Sequence, residues 1–421
     1  MFRTGLTPLA KIPRCRGASL LFAAVAVMGG CREDAESPTA PTVSSALATS
    51  AAALSFRQIS GGLFHTCGVA TDDRAYCWGQ NVYGQLGDGT TATRAKPTLV
   101  AGGLRFILVS AGAVYSCGIT TQNRAYCWGQ NTTGQLGDGT TTDRRRPVAV
   151  AGGKRFAQVR AGYVHTCAVD PFNAAFCWGH NSNGQLGDNT KISRLTPVRV
   201  RGGLAFRRVF TAGLHSCGAT LDNRGYCWGR NEHGQLGDGT TIHKLKPALV
   251  AGNHNFTQVF VGAAHGGGWS SNSCGLTEDQ RAYCWGNNRL GQIGDGTAGG
   301  NLIRTTPVAV QGGLRFTGLS TSGAATCGVT TGNRAYCWGS DGNFQVGDGN
   351  STQEQYTTPN AVTGGLQFRA ITTGAMHTCA ITTDNAAYCW GNNFEGQLGI
   401  GTFDSGSGFT PRSSPLAVVG P

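Results

Sequence analysis

Several shortages in this 421-residue sequence narrow the answer before any motif is read. No window beyond residue 31 sustains apolar residues at a helical period, which argues against a helical architecture. The apolar run from Ala18 to Met28 is too short to cross a bilayer as a mature helix. There is no nucleophile elbow, phosphate loop or zinc-protease motif, so nothing argues for catalysis or a cofactor. Although the chain has 16 cysteines, the Cys-x2-Cys spacing of a zinc site is missing. Residues 1 to 16 contain no acid, only the bases Arg3, Lys11, Arg14 and Arg16.

What the chain does have is one phrase written seven times. RAYCWGQNVYGQLGDGTT begins at Arg74, and its variants place tryptophan at Trp78, Trp128, Trp178, Trp228, Trp285, Trp338 and Trp390, steps of 50, 50, 50, 57, 53 and 52 residues. Within one period, the stretches from Phe106, Ser116, Arg124 and Pro147 are short, rich in β-branched or aromatic residues, and bounded by Gly, Asn, Asp and Pro. Four short strands in about 50 residues, repeated seven times, predict an all-β fold: a single closed seven-bladed propeller over residues 54–421. The 66 glycines fit this reading because they recur in register, in Gly-Gly before each Phe and in Gly-Gln-Leu-Gly-Asp-Gly.

Fourteen of the cysteines form seven pairs ten residues apart: Cys67 and Cys77, Cys117 and Cys127, Cys167 and Cys177, Cys217 and Cys227, Cys274 and Cys284, Cys327 and Cys337, Cys379 and Cys389. Two strand arms around a polar turn would set each pair opposite one another on a hairpin, with Asn123, Asn173, Asn223, Asn333 and Asn385 at the left-handed turn position. Opposed positions of a non-hydrogen-bonded antiparallel pair lie within disulfide reach, predicting one cross-strand bridge per blade. Each would add roughly 2 to 3 kcal/mol. The tryptophan that follows is expected to pack between blades.

Disulfides imply an oxidising compartment, and the N-terminus agrees. A basic stretch, an apolar run and Val-Met-Gly-Gly-Cys-Arg resemble the signal and lipobox of a bacterial lipoprotein, which implies cleavage before Cys31 and lipid attachment to it. Met28 departs from the commoner Leu, and ordinary secretion is the alternative. Residues 31–53, rich in Ser, Thr, Ala and Pro, would tether the propeller to a bacterial envelope membrane. Loss of residues 1–30 lowers the formal charge from +12 to +8. Remaining cations cluster between Gly-Asp-Gly-Thr and the next Pro: Arg94 and Lys96; Arg144, Arg145 and Arg146; Lys191 and Arg194; Lys244 and Lys246; Arg304. On one propeller face these would form a basic arc suited to an acidic protein, a polyanionic glycan or lipid head groups, with a solvated rim as the bland alternative. Nucleic acid is not expected at an external address.

The phrase Trp-Gly-x-Asn-x-x-Gly-Gln-Leu-Gly, preceded by Gly-x-x-His-Thr-Cys and followed by Pro-x-x-Val, resembles the regulator of chromosome condensation repeat. The resemblance covers about residues 54 to 421 and implies the family's seven-bladed propeller. The family includes a nuclear guanine-nucleotide exchange factor, a plant ultraviolet photoreceptor and secreted bacterial inhibitors of a β-lactamase, so fold alone chooses no function. The cysteine before Trp-Gly departs from the family and points away from the cytosol.

The register of His65, His165, His215, His265 and His377, with Tyr115 and Ala325 in the other two repeats, offers a histidine ring. The resemblance implies packing and hydrogen bonding there rather than metal. Asp88, Asp138 and Asp238 in Gly-Asp-Gly suggest calcium, but one carboxylate per turn lacks the clustered oxygens it requires. Function is expected where repeats stop agreeing: the fifth-repeat insertion Gly266 to Asn272 with Trp269, the stretch Asn350 to Tyr356, and Phe403 to Phe409. The resulting expectation is a non-catalytic, monomeric, lipid-anchored propeller that binds a macromolecule through one loop face. Alternatives are an inhibitor of a secreted enzyme, an exchange factor and a surface scaffold without a single ligand.

Overall fold

The hairpin turns carry the residues that tolerate left-handed backbone, and this lets each repeat fold back on itself. Asn123, Asn173, Asn223, Asn333 and Asn385 have φ of 60°, 65°, 61°, 58° and 72°, and Asp73 and Gln280 take the position in blades one and five. The computed structural model describes residues 54–263, 271–404 and 412–421. In blade one the strands are β1 (Phe56–Gly61), β2 (His65–Ala70), β3 (Ala75–Gly79) and β4 (Arg94–Leu99). They pair antiparallel in chain order, and six further four-stranded sheets repeat the pattern. This is the seven-bladed all-β propeller expected from the sequence.

The fourth strand begins earlier than Pro147 suggested. In blade two it spans Arg144–Ala149, with Gly129 opposite Arg144, so the cations assigned to a loop lie in an edge strand. Proline is tolerated there because an edge position leaves its missing N–H without a ladder partner.

Cysteines face each other across the second and third strands, Cys67 opposite Cys77 and likewise in every blade, and all seven pairs are bonded with Cα separations of 4.0–4.1 Å. All seven repeat tryptophans are fully buried between blades. Trp128 Nε1 donates to the Gln85 carbonyl of the preceding blade at 2.9 Å, leaving no unpaired indole N–H in the core. Gly87 lies against that indole with φ of 71°, and a Cβ there would come within 2.7 Å of Nε1, so both backbone and space demand glycine.

Blades are also laced through their turns. Gly89 N donates to the Arg145 carbonyl of the next outer strand at 2.9 Å, and Gly401 N donates to the Ala95 carbonyl across the junction of blades seven and one. The last blade takes all four strands from its own repeat, ending in Leu416–Ala417, and shares no strand with blade one. Closure instead uses the same contacts as other junctions: Trp78 Nε1 to the Gln397 carbonyl at 2.9 Å and Phe56 N to the Asn385 carbonyl at 2.8 Å.

Candidate functional site

The histidine register is a seam between blades. His65 Nε2 meets Ser116 Oγ of the next blade at 2.9 Å, and Ser116 donates its own proton to the Gln85 carbonyl that also receives Trp128. Because the hydroxyl proton is spent on that carbonyl, Nε2 is the donor to Ser116. His165 repeats this with Ser216, His215 with Ser273, and His377 with Thr66. Burial pushes His65, His165 and His215 down to about 3 and His377 to about 4, with the neighbouring His377, His215 and Arg230 adding to the effect on the first three respectively. Tyr115 fills the register in blade two, reaching Thr166 Oγ1 at 3.0 Å.

Blade five corrects the sequence alignment. Asn272, not His265, lies opposite Gly286 as His65 lies opposite Gly79, because the insertion moves the register seven residues along. His265 and Trp269 lie outside the described residues, as do Cys31 and the rest of residues 1–53.

On the face formed by the loops between third and fourth strands, repeated residues hold the scaffold. Asn81 Oδ1 accepts from Leu86 N, and its Nδ2 donates to Asp88 Oδ1. Asp88 accepts from Thr90 and, at 3.0 Å, from Arg94. Burial alone would raise the Asp88 carboxyl, but hydrogen bonds from Thr90 and then Arg94, with its charge, hold it below its ordinary value. The Gly-Asp-Gly carboxylates are thus counterions of the outer strand.

That pairing divides the predicted basic arc. Arg144 binds Asp138 at 2.8 Å, Arg194 binds Asp188 at 2.9 Å, Lys244 binds Asp238 at 3.1 Å and Arg304 binds Asp295 at 2.7 Å, so these cations are spent on their own turns. Arg145, Arg146 and Lys246, with Lys96, are exposed. Tyr356, a candidate contact residue, stands at the Arg94 register and donates its hydroxyl to Asp348. In blade seven, whose repeat reads Gly-Ile-Gly, Asp404 supplies the carboxylate for Arg412. Phe403, another candidate contact residue, is 47% exposed beside Lys96 and Leu99 of β4.

The same face displays what varies. The two positions after each turn asparagine are Val82 and Tyr83 in blade one and Phe394 and Glu395 in blade seven, with Val82, Tyr83 and Phe394 exposed. Ile192 and Ile242, in the corresponding loops of blades three and four, are exposed as well.

A family model described as the RCC1-like domain matches residues 28–371, and an RCC1 repeat model matches residues 368–397. The chain belongs to the RCC1-like domain family. Among curated relatives, the human E3 ubiquitin-protein ligase HERC2 is 30% identical over 131 residues, which is 30% of this chain and 3% of that protein. The chain therefore matches only a small fraction of that relative's length. Human WBSCR16 superposes with a TM-score of 0.71 at 20% identity, covering 82% of this chain and 94% of that one. Prp20p from Saccharomyces cerevisiae, studied for its binding to Gsp1p and histones, superposes at 0.70 with 18% identity, covering 87% of each chain. At these identities the likeness is one of fold.

Sequence reasoning missed two features of this RCC1-like propeller. Asp341 is fully buried where the other six blades have Asn81, Asn131, Asn181, Asn231, Asn288 and Asn393. Its Oδ1 accepts from Val346 N at 2.7 Å, while Oδ2 is buried without a partner. Burial, reinforced by Asp348 and Glu354, pushes the carboxyl up to about 7. The second feature is a cationic wall in the central channel. Both were visible as breaks in a repeated column, but they fall in turns and inner strands rather than in variable loops.

Proposed function

We propose that this protein is a non-catalytic, lipid-anchored RCC1-like propeller of the bacterial envelope that binds an acidic protein or polyanionic glycan. The contact surface is the face of the loops between third and fourth strands and the adjoining outer strands. The observation that carries this reading is the division of labour there. Asn81, Asp88, Arg94 and their counterparts are consumed in holding the loops, leaving Lys96, Arg145, Arg146 and Lys246 exposed among Val82, Tyr83, Ile242 and Phe403. Fixed loops bearing cations and exposed apolar side chains suit a macromolecular interface, in which little entropy is lost on ordering.

Seven disulfides support an external address. The lipobox-like sequence before Cys31 supports the anchor. Binding of Prp20p to Gsp1p belongs to a protein only 18% identical, so exchange activity has fold alone in its favour.

The test is retention of the full chain on an immobilised sulfated glycan and on a polyglutamate surface. Arg145→Glu, Arg146→Glu and Lys246→Glu together should abolish retention on at least one, with melting temperature unchanged. Equal retention of the triple variant, or of neither protein, rejects the surface. Intact mass of Cys31-containing protein from its native membrane checks the anchor separately.

A further inference from the structure

The innermost strands line a channel of about 430 Å³ on the propeller axis. One register of these strands lies opposite the first cysteine of every blade. In four blades it holds Ser60, Ser110, Ser320 and Thr372. Each of these hydroxyls accepts a hydrogen bond from the adjacent blade's inner strand, from Ala111, Ala161, Thr373 and Gly61 N respectively, at 2.9–3.0 Å. The column thus has a structural job, sealing neighbouring blades.

Three consecutive blades abandon it. Arg160, Phe210 and Phe260 occupy the same register in blades three, four and five. The Arg160 guanidinium lies 4.7 Å from the Phe210 ring centroid, and Phe210 and Phe260 are 5.0 Å apart. Two places earlier on the blade-four strand, Arg208 stands where Gln58, Gln158 and Gln258 stand in other blades, and it too lines the channel. The Gln58 and Gln158 amides bridge to the next blade through the carbonyls of Val109 and Val209. Arginine at that register makes no such bridge and adds a second cation to the same side of the channel.

The two charges lack compensation. No Asp or Glu lines the channel among the described residues, and neither guanidinium lies within ion-pair distance of a carboxylate there. Arg160 Nε is buried with no hydrogen-bond partner. Burial, and then the charge of Arg208, lowers Arg160 to about 10, so the pair works against itself without an anion. Two guanidiniums set on an aromatic wall match a ligand with negative oxygens and a flat or apolar body. The volume falls within the range of small-molecule sites.

We propose that the central channel of this propeller is a binding site for a small organic dianion, a carboxylate or phosphate on an apolar body, held by Arg160 and Arg208 against Phe210 and Phe260. The site is independent of the outer loop face, and substitutions there leave it intact.

Calorimetric titration of the full chain with phthalate, succinate, inorganic phosphate and a hexaglutamate peptide tests this. Phthalate should bind one to one and more tightly than succinate or phosphate. Its affinity should fall at least about tenfold in Arg160→Gln and in Arg208→Gln, and hold in Arg146→Gln. Arg208 is exposed, so its variant keeps the test valid should Arg160→Gln misfold. Unchanged affinity in folded Arg160→Gln and Arg208→Gln, or no saturable binding by any probe up to about 10 mM, overturns the site. Tighter binding of hexaglutamate than of phthalate overturns the small-ligand assignment.

Discussion

Acidification should loosen this propeller well before its ion-paired carboxylates titrate, because its blade junctions contain neutral imidazoles. His65, His165 and His215 sit at about 3 and His377 at about 4 in the folded chain, against about 6.5 when unfolded. A depressed folded value means that the unfolded chain binds more protons. The associated stability is complete above pH 6.5 and is lost as pH falls toward 3. Between pH 7.5 and pH 5 each histidine should cost about 2 kcal/mol, so the four together cost about 8 kcal/mol. Asp341 works in the opposite sense. Its folded value of about 7 lies above that of a free carboxyl, so protonation favours the folded state as pH falls, returning about 2.5 kcal/mol. The net loss is about 5.5 kcal/mol, enough to be seen as a fall of the guanidinium midpoint at constant slope. His215→Gln keeps a donor for Ser273 and should remove about 2 kcal/mol of this pH dependence while leaving stability at pH 7.5 nearly intact. A midpoint that does not move between pH 7.5 and pH 5, or a His215→Gln protein with the full wild-type slope, refutes the reasoning.

Asp341→Asn restores the donor present in the other blades and removes a buried charge, so it should stabilise the chain by roughly 3 kcal/mol at pH 8 and far less at pH 5, read from chemical denaturation at both values. Replacing Cys217 and Cys227 together by serine should lower stability by about 2 to 3 kcal/mol, and urea unfolding that places the double variant level with wild type would contradict the cross-link argument.

Repetition made the blades legible. The ten-residue cysteine spacing and the turn asparagines recur at fixed intervals, and a feature that survives seven times in one chain needs no structure to be read as geometry. Two errors came from reading position as environment. Arg144, Arg145 and Arg146 look like a charged loop, yet they begin an edge strand, where cations and proline are at home. The partner of Arg144 was hidden because Asp138 reaches it only through the curvature of the intervening turn. His265 matched the histidine column by its distance from the preceding Phe, but strand pairing is measured from the cysteine, and by that count Asn272 holds the place. Arg160 and Arg208 escaped notice because a strand sequence does not say whether a side chain seals a neighbouring blade or is left free.

The independence of the first and last blades has a wider consequence. Blade seven meets blade one through the same indole-to-carbonyl and turn-to-outer-strand hydrogen bonds that join the other blades, so the seam needs no closing device of its own. The ring is a cyclic permutation class rather than a sequence with a privileged start. Circularly permuted chains opened at the Gly102-Gly103 or Gly152-Gly153 connection would close by the same set of bonds. Duplication or loss of a whole repeat, by contrast, meets no obstacle at the seam and is limited only by the curvature that seven blades impose.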